Sequence, residues 1–381
     1  MSQNASSKDV LKSADIIVIK VGTALVALAD GSGVKVQWLN ALAQDIKALM
    51  DQGKKIAIVS SGGVALGRPA LGISATTRPK DIPLEHKQAA SAVGQYHVFH
   101  GYHQALSSMH IKTAQVLLTM GETENRRMHL NARSTLLTLL EKSIVPIINE
   151  NDTISTEEIR FGDNDRLAVR VAQMIGADCT VLLSTIDGLY TANPHKDETA
   201  EHIPYVEQLS DAHKNMADEA APGLSTGGMK SKLEAASAAM RSGINLVITD
   251  GQEPHALRDI ASNRCTLFAA KESRDSARKK WISAHMAPRG ILTLDDGARD
   301  ALSKGKSLLP IGVKALEGQF IRGDAVHIKD QSGTILGVGL SAYDAQDAAK
   351  IIGKHSDEIA EILGFKGRKE LVHRNDMALE L

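Results

Sequence analysis

Short apolar, mostly β-branched runs alternate with longer stretches of helical period over the first two thirds of the chain. Residues 16–19, 55–59, 144–148, 180–183 and 246–249 read as strands; residues 36–51, 86–109, 131–142, 166–176 and 228–243 read as helices. Two of these helical stretches end on Gly176 and Gly243, the residue type that most easily adopts the left-handed turn closing a helix. The strand runs are apolar at successive positions, so both faces should be buried. This is the pattern of a mostly parallel sheet with helices on both faces, an α/β three-layer fold in which ligand groups gather at the carboxyl ends of the strands.

The pattern changes after about residue 270. The charged stretch KESRDSARKKW is followed by short strand candidates between glycine turns, GILTLDD, GQFIRGDAVHIKD and GTILGVGLSAY. We therefore expect a first domain at 1–270, a linker at 271–287, and a small β-rich domain with its tail at 288–381. A length of 381 residues also exceeds the usual size of one compact core.

Composition narrows the class of partner. A net charge of −1 offers no long-range attraction for nucleic acid or anionic lipid, and aromatics at 3% leave little for base stacking. A small-molecule site is the expectation, with no nucleic acid or membrane partner. Cys179 and Cys265 match neither a disulfide framework nor a zinc pattern. The apolar run at 16–19 is far shorter than a signal core or the ~20 residues of a membrane span, so the expected location is the cytoplasm.

Several motifs fall at predicted strand ends. Lys20 follows the first strand and is carried to the edge of the sheet before Gly22; a lysine merely closing a strand in solvent is the plain alternative. The second strand ends in Ser60-Ser61-Gly62-Gly63, where hydroxyls and backbone N–H groups can converge on an anion. Gly62 and Gly67 mimic part of a P-loop, but Arg68-Pro69 replaces its Lys-Ser/Thr and Pro69 would interrupt the helix, so a P-loop is rejected. NENDT, containing Asp152, and FGDNDR, containing Asp165, place acids and amides at element ends; Asp163 or Asn164 could instead simply cap the helix expected from Arg166. VLLSTIDGLYTANP is a strand and loop suited to an adenosine moiety. GLSTGGMKSK opens a helix whose N–H groups, with Lys230 or Lys232, can engage phosphates. His86, His97, His100 and His103 show no ligand pattern, and GSGVKV at Gly31 is a turn rather than a dinucleotide fingerprint.

The ordered set KVGT, SSGG, NEND, GDND, LYTANP and STGGM followed by Lys232 resembles the glutamate 5-kinases of the amino acid kinase family, across nearly the whole chain. SLLPIGV with EGQFIRGDAV resembles their C-terminal PUA domain, which aspartate, acetylglutamate and uridylate kinases lack. The resemblance implies an ATP-dependent kinase, with Mg²⁺, that phosphorylates the side-chain carboxylate of L-glutamate in proline biosynthesis. It implies that Lys20 and Lys232 contact the transferred phosphate and that Asp165 positions both. ATP would be held by Lys20, Ser184, Thr185, Thr226, Gly227, Gly228, Met229, Lys230, Ser231 and Lys232, and glutamate by Ser60, Asp152 and Asn164. No protein metal site is implied. L-proline as feedback inhibitor and a homo-oligomer, dimer or tetramer, also follow from it. The chain departs from the commonest wording at Ser184-Thr185, where Thr-Asp is usual, and at Lys230-Ser231, where Ser-Thr or similar is usual.

The chemistry agrees with such a reaction. A glutamate side chain, with an ordinary pKa near 4.3, is already a nucleophile at neutral pH, so no catalytic histidine is required. What is required is in-line positioning and neutralisation of phosphoryl charge. An RNA-binding role, suggested by PUA domains elsewhere, lacks a basic footprint: residues 289–381 carry 13 Lys+Arg against 14 Asp+Glu.

Overall fold

The computed structural model describes residues 7–154, 164–194, 196–218, 228–258, 260, 264–273, 276–277, 279 and 288–379. The chain divides into two compact units, Met1–Lys271 and Glu272–Leu381. No described helix is long and apolar enough to cross a membrane.

The first unit is built on an eight-stranded sheet. Its strands are β1 (Ile16–Val21), β2 (Lys55–Ser60), β3 (Lys112–Leu118), β4 (Ile144–Glu150), β5 (Cys179–Ser184), β6 (Tyr205–Val206), β7 (Asn245–Asp250) and β8 (Cys265–Phe268), in the spatial order β3-β4-β2-β1-β5-β7-β8-β6. Every pairing is parallel except β7 with β8. Among its helices are α1 (Val36–Asp51), α2 (Gly63–Gly67), α3 (Leu84–Ser107), α4 (Arg126–Glu141), α5 (Asn164–Ile175) and α6 (Met229–Arg241). One core joins Leu39 and Ile46 of α1 and Val98 and Tyr102 of α3 to one face of the sheet. A second joins Leu136 of α4, Leu167 of α5 and Leu233 of α6 to the other. The three-layer arrangement expected from the strand-helix alternation is therefore present.

The structure adds β3, β8 and β6, which the apolar runs did not reveal. β3 lies at the edge of the sheet and, apart from Leu118, is half-exposed to exposed, so its sequence mixes Lys112, Thr113 and Gln115 with apolar residues. β8 and β6 have only four and two residues. Helix α5 begins at Asn164, two residues before the expected start. Pro69 ends α2 as its chemistry requires and opens a separate 3₁₀ turn, Pro69–Leu71.

α2 and α3 cross with backbones nearly in contact. A Cβ on Gly94 would lie 1.9 Å from the Gly63 carbonyl oxygen, and one on Gly67 would lie 1.7 Å from that of Ala90. Only glycine permits this approach, which sets α3 against the turn leaving β2.

The second unit holds a five-stranded sheet: β9 (Gly290–Leu294), β10 (Val313–Gly318), β11 (Ala325–Lys329), β12 (Ile335–Leu340) and β13 (Met377–Leu379), ordered β10-β9-β11-β12-β13. Alternating burial puts Leu292 and Leu294 of β9 into a core with Val326, Ile328, Leu336 and Ile351. Two helices covering this core, Asp296–Ser303 and Ala345–Ile351, start on the caps Asp295 and Asp344. The expected linker falls largely outside the described residues.

The α2–α3 crossing yields a first prediction. Gly94→Ala should lower the unfolding free energy by about 3 kcal/mol, the upper end of ordinary overpacking costs, because the new methyl meets backbone rather than a movable side chain. An unchanged urea midpoint would show that the two helices can separate freely.

Candidate active site

Polar residues occupy the carboxyl ends of the parallel strands: Lys20 stands one residue before the end of β1, Ser60 ends β2, Glu150 ends β4 and Ser184 ends β5. The strand order turns at β1, with β2 on one side and β5 on the other, the kind of switch point where α/β sheets open a crevice. Strand parity then decides which helical layer each side chain meets. Ile17, Ile19 and Val21 join the α1–α3 core, whereas Val18 joins the α4–α6 core. Lys20 shares the parity of Val18 and reaches the second layer.

There it meets Asp165, in the first turn of α5, and Lys232, in the first turns of α6. Lys20 Nζ lies 2.6 Å from Asp165 Oδ1, and Lys232 Nζ donates to Oδ2 at 2.9 Å. All three residues are buried. Burial raises the Asp165 pKa, but the two ammonium charges and their hydrogen bonds outweigh it and hold the carboxyl at about 2. Two positive charges thus share one negative charge, a set suited to an anion. Ser231 Oγ lies 3.4 Å from Asp165 Oδ2 and 3.2 Å from the Gly228 carbonyl oxygen. Gly228, the extended N-cap residue of α6, has no side chain to cap the helix, and Met229 and Lys230 follow it in the first turn. A phosphate fits such a helix start.

A second cluster of polar groups lies on the α3 side. Ser60 Oγ is 3.0 Å from the Ser61 carbonyl oxygen and 3.1 Å from the Tyr102 hydroxyl. Asn164 Nδ2 lies 3.0 Å from the Ser60 carbonyl oxygen, 2.7 Å from Ser61 Oγ and 3.1 Å from Asn149 Oδ1. Asn149 Nδ2 donates to Gln95 Oε1 at 2.6 Å, and its Oδ1 accepts from the Glu150 N–H at 2.9 Å. Asp152 opens a 3₁₀ turn, Asp152–Ile154, and accepts from the Ser91 hydroxyl. Burial raises its pKa, and the Ser91 hydrogen bond offsets this in part. Gly62, at φ +116°, lets the chain turn from β2 into α2 between these groups.

The structure therefore brings Lys20, Asp165 and Lys232 into one cluster and Ser60 and Asn164 into another, joined where Asn164 and Asp165 are consecutive. Asp152 is tied to the second through α3. The simple capping role considered for Asn164 does not hold: its amide bonds β2 and β4 instead of the helix start. Ser184 ends β5, and its carbonyl accepts from the Gly251 N–H at 2.8 Å; Thr185 beside it is exposed. Thr226 and Gly227, like Asp163, lie outside the described residues. Sequence reasoning missed Ser91, Gln95, Asn149 and Tyr102. The available signal was Ser91 and Gln95, polar side chains one turn apart within the buried stripe Ala90, Gly94, Val98 and Tyr102 of α3. His86, His97, His100 and His103 are exposed.

A profile of the amino acid kinase family matches residues 15–250, and one of the PUA domain matches residues 290–363. The glutamate 5-kinase of Gluconobacter oxydans (strain 621H) is 50% identical over 366 residues, 96% of each chain. That of Paramagnetospirillum magneticum is 48% identical over 97% of this chain and 99% of its own, and that of Brucella anthropi is 49% identical over 97% of each. With the sheet order, the lysine-aspartate-lysine cluster and near full-length identity in agreement, this chain belongs to the amino acid kinase family, in its glutamate 5-kinase branch, with a PUA domain following the kinase domain.

Proposed function

We infer that this protein transfers the γ-phosphoryl group of ATP to the side-chain carboxylate of L-glutamate, giving L-glutamyl 5-phosphate, the first step of proline biosynthesis. The observation that carries the reading is the pair of buried ammonium groups, Lys20 and Lys232, held by one carboxylate beside the start of α6. A carboxylate oxygen of glutamate forms a bond to the γ-phosphorus as the bond to the β,γ-bridging oxygen breaks, and ADP leaves with that electron pair. No proton has to move, so no general base is needed. Lys20 and Lys232 neutralise charge spreading over the transferred group, and Asp165 fixes where they stand. Ser184, Thr185 and the segment from Thr226 to Ser231 are assigned to the nucleotide. Mg²⁺, bound with ATP, supplies further neutralisation on phosphate oxygens. It would take few protein ligands in such a site, and Asp165 is assigned to the two lysines rather than to the metal.

Glutamate recognition is assigned to Ser60, Asp152 and Asn164. Asp152 is a buried carboxylate suited to the α-ammonium group, and Asn164 Oδ1, buried and without a partner among the described residues, is a second acceptor. The cytoplasm as location, feedback inhibition by L-proline and assembly as a dimer or tetramer complete the proposal. Cys179 as a buried free thiol supports the first, and the family membership supports all three.

Purified protein with MgATP, a panel of amino acids and hydroxylamine to trap the acyl phosphate tests the reading directly: only glutamate should give abundant hydroxamate. Lys20→Ala and Lys232→Ala should each lower kcat by at least about a hundredfold, because each removes a charge needed most in the transition state. Near-normal turnover of either folded variant would remove that lysine from the mechanism. Asp165→Asn should lower both activity and the unfolding free energy, the latter by about 3 kcal/mol, since it leaves two buried ammonium groups without their counter-charge. Calorimetry and chemical denaturation would read this, and an unchanged midpoint counts against the pairing. Asp152→Asn should weaken glutamate binding about ten- to a hundredfold while sparing an ATP analogue. Equal losses for the two ligands in titration calorimetry would reduce Asp152 to a turn-closing residue.

A further inference from the structure

Three carboxamides run in a chain along the α3 side of the site, Gln95 to Asn149 to Asn164. Their orientations are fixed by two backbone groups. The Ser60 carbonyl can only accept, so Asn164 must turn Nδ2 toward it. The Glu150 N–H can only donate, so Asn149 must turn Oδ1 toward it and Nδ2 toward Gln95. Gln95 then has to present Oε1 to Asn149, which leaves Nε2 as a donor of settled identity. That nitrogen is buried and has no partner among the described residues, in a side chain only 6% exposed. Unmet buried donors are costly and uncommon in native interiors, and at a binding site they point to a ligand acceptor. On the same helix, Ser91, one turn earlier, donates to Asp152.

We propose that Gln95 is a substrate-recognition residue whose Nε2 donates a hydrogen bond to the α-carboxylate of the amino-acid acceptor. The proposal rests on the functional reading above. The reacting side-chain carboxylate belongs at the lysines, in the α5–α6 layer, whereas Gln95 stands on α3 with the group that holds Asp152. The substrate acceptor adjoining the α-ammonium group is the α-carboxylate. Donor and acceptors together read both halves of the zwitterion: Gln95 Nε2 takes the anion, Asp152 and Asn164 Oδ1 the cation. An α-amino acid is thereby selected over its decarboxylated or α-amidated analogue.

Gln95→Glu isolates the donor, because it keeps the side-chain length and the oxygen facing Asn149. The test compares L-glutamate with its α-amide, L-isoglutamine, using the hydroxamate assay on the full chain. The wild type should favour glutamate in kcat/KM. Gln95→Glu should lower kcat/KM for glutamate about ten- to a hundredfold, mainly through KM, with the KM for ATP unchanged and the preference over the α-amide largely lost. A purely structural role would lower both substrates alike, and that result, or an unmoved preference, overturns the proposal. Gln95→Met, of similar length and without charge, is read in the same way should Gln95→Glu fail to fold. A wild type that accepts the α-amide as well as glutamate also overturns it without any variant. A wild type inactive on glutamate sinks the functional reading itself, an outcome distinct from an active enzyme whose preference ignores Gln95.

Discussion

A single buried carboxylate holding two buried ammonium groups is the interaction on which the rest of the site depends. Asp165 reaches both lysines because β1 delivers Lys20 with the parity of Val18 and because α5 and α6 begin beside the same strand end. Such a cluster is not required for stability: buried ion groups are often replaceable by apolar residues at no cost. Its value is electrostatic. With one negative charge between two positive ones, the set localises its lysines while retaining attraction for phosphate, and the two ammonium groups hold the Asp165 carboxyl well below the usual carboxylate range.

The α3 side of the same edge is built differently. Apart from Asp152, its described contacts are made by hydroxyls and carboxamides, positioned by helix packing rather than by charge. Glycines at 63, 67 and 94 let α2 pack closely on α3, the helix where Ser91 meets Asp152 and Gln95 meets Asn149 at the end of β4. A longer separation would leave these polar side chains in an apolar interlayer without partners, at about 1–3 kcal/mol for each unmet group. The close crossing and the polar stripe therefore depend on each other.

Much of the fold was legible because five strands buried on both faces write themselves as apolar runs. Their final residues were not, since Ser60, Glu150 and Ser184 are polar residues at the carboxyl edge of the sheet. Edge strand β3 escaped for a related reason, its exposed positions breaking the run. Lys20 alone was ambiguous between a solvent lysine and a buried one. Only the pairing of β1 with β2 and β5 and the placement of α5 settle that it is buried on the Asp165 side. Gln95 and Asn149 are 54 residues apart, and nothing in the local pattern of either announces their hydrogen bond.

The two sides of the edge also divide the reaction's demands in a way that follows from the electrostatics. Charge develops during phosphoryl transfer, so the groups that meet it should be charged and fixed before the reaction begins. The α-amino and α-carboxyl groups of an amino acid do not change charge, so on the proposed reading one carboxylate, Asp152, with neutral dipoles of defined direction orients them and discriminates against analogues that lack one group. Backbone groups of β2 and β4 set the direction of those dipoles, and the same sheet sets the position of Lys20. On the proposed reading, chemistry and selectivity are thus both referenced to one sheet, and a shift of its edge would disturb them together.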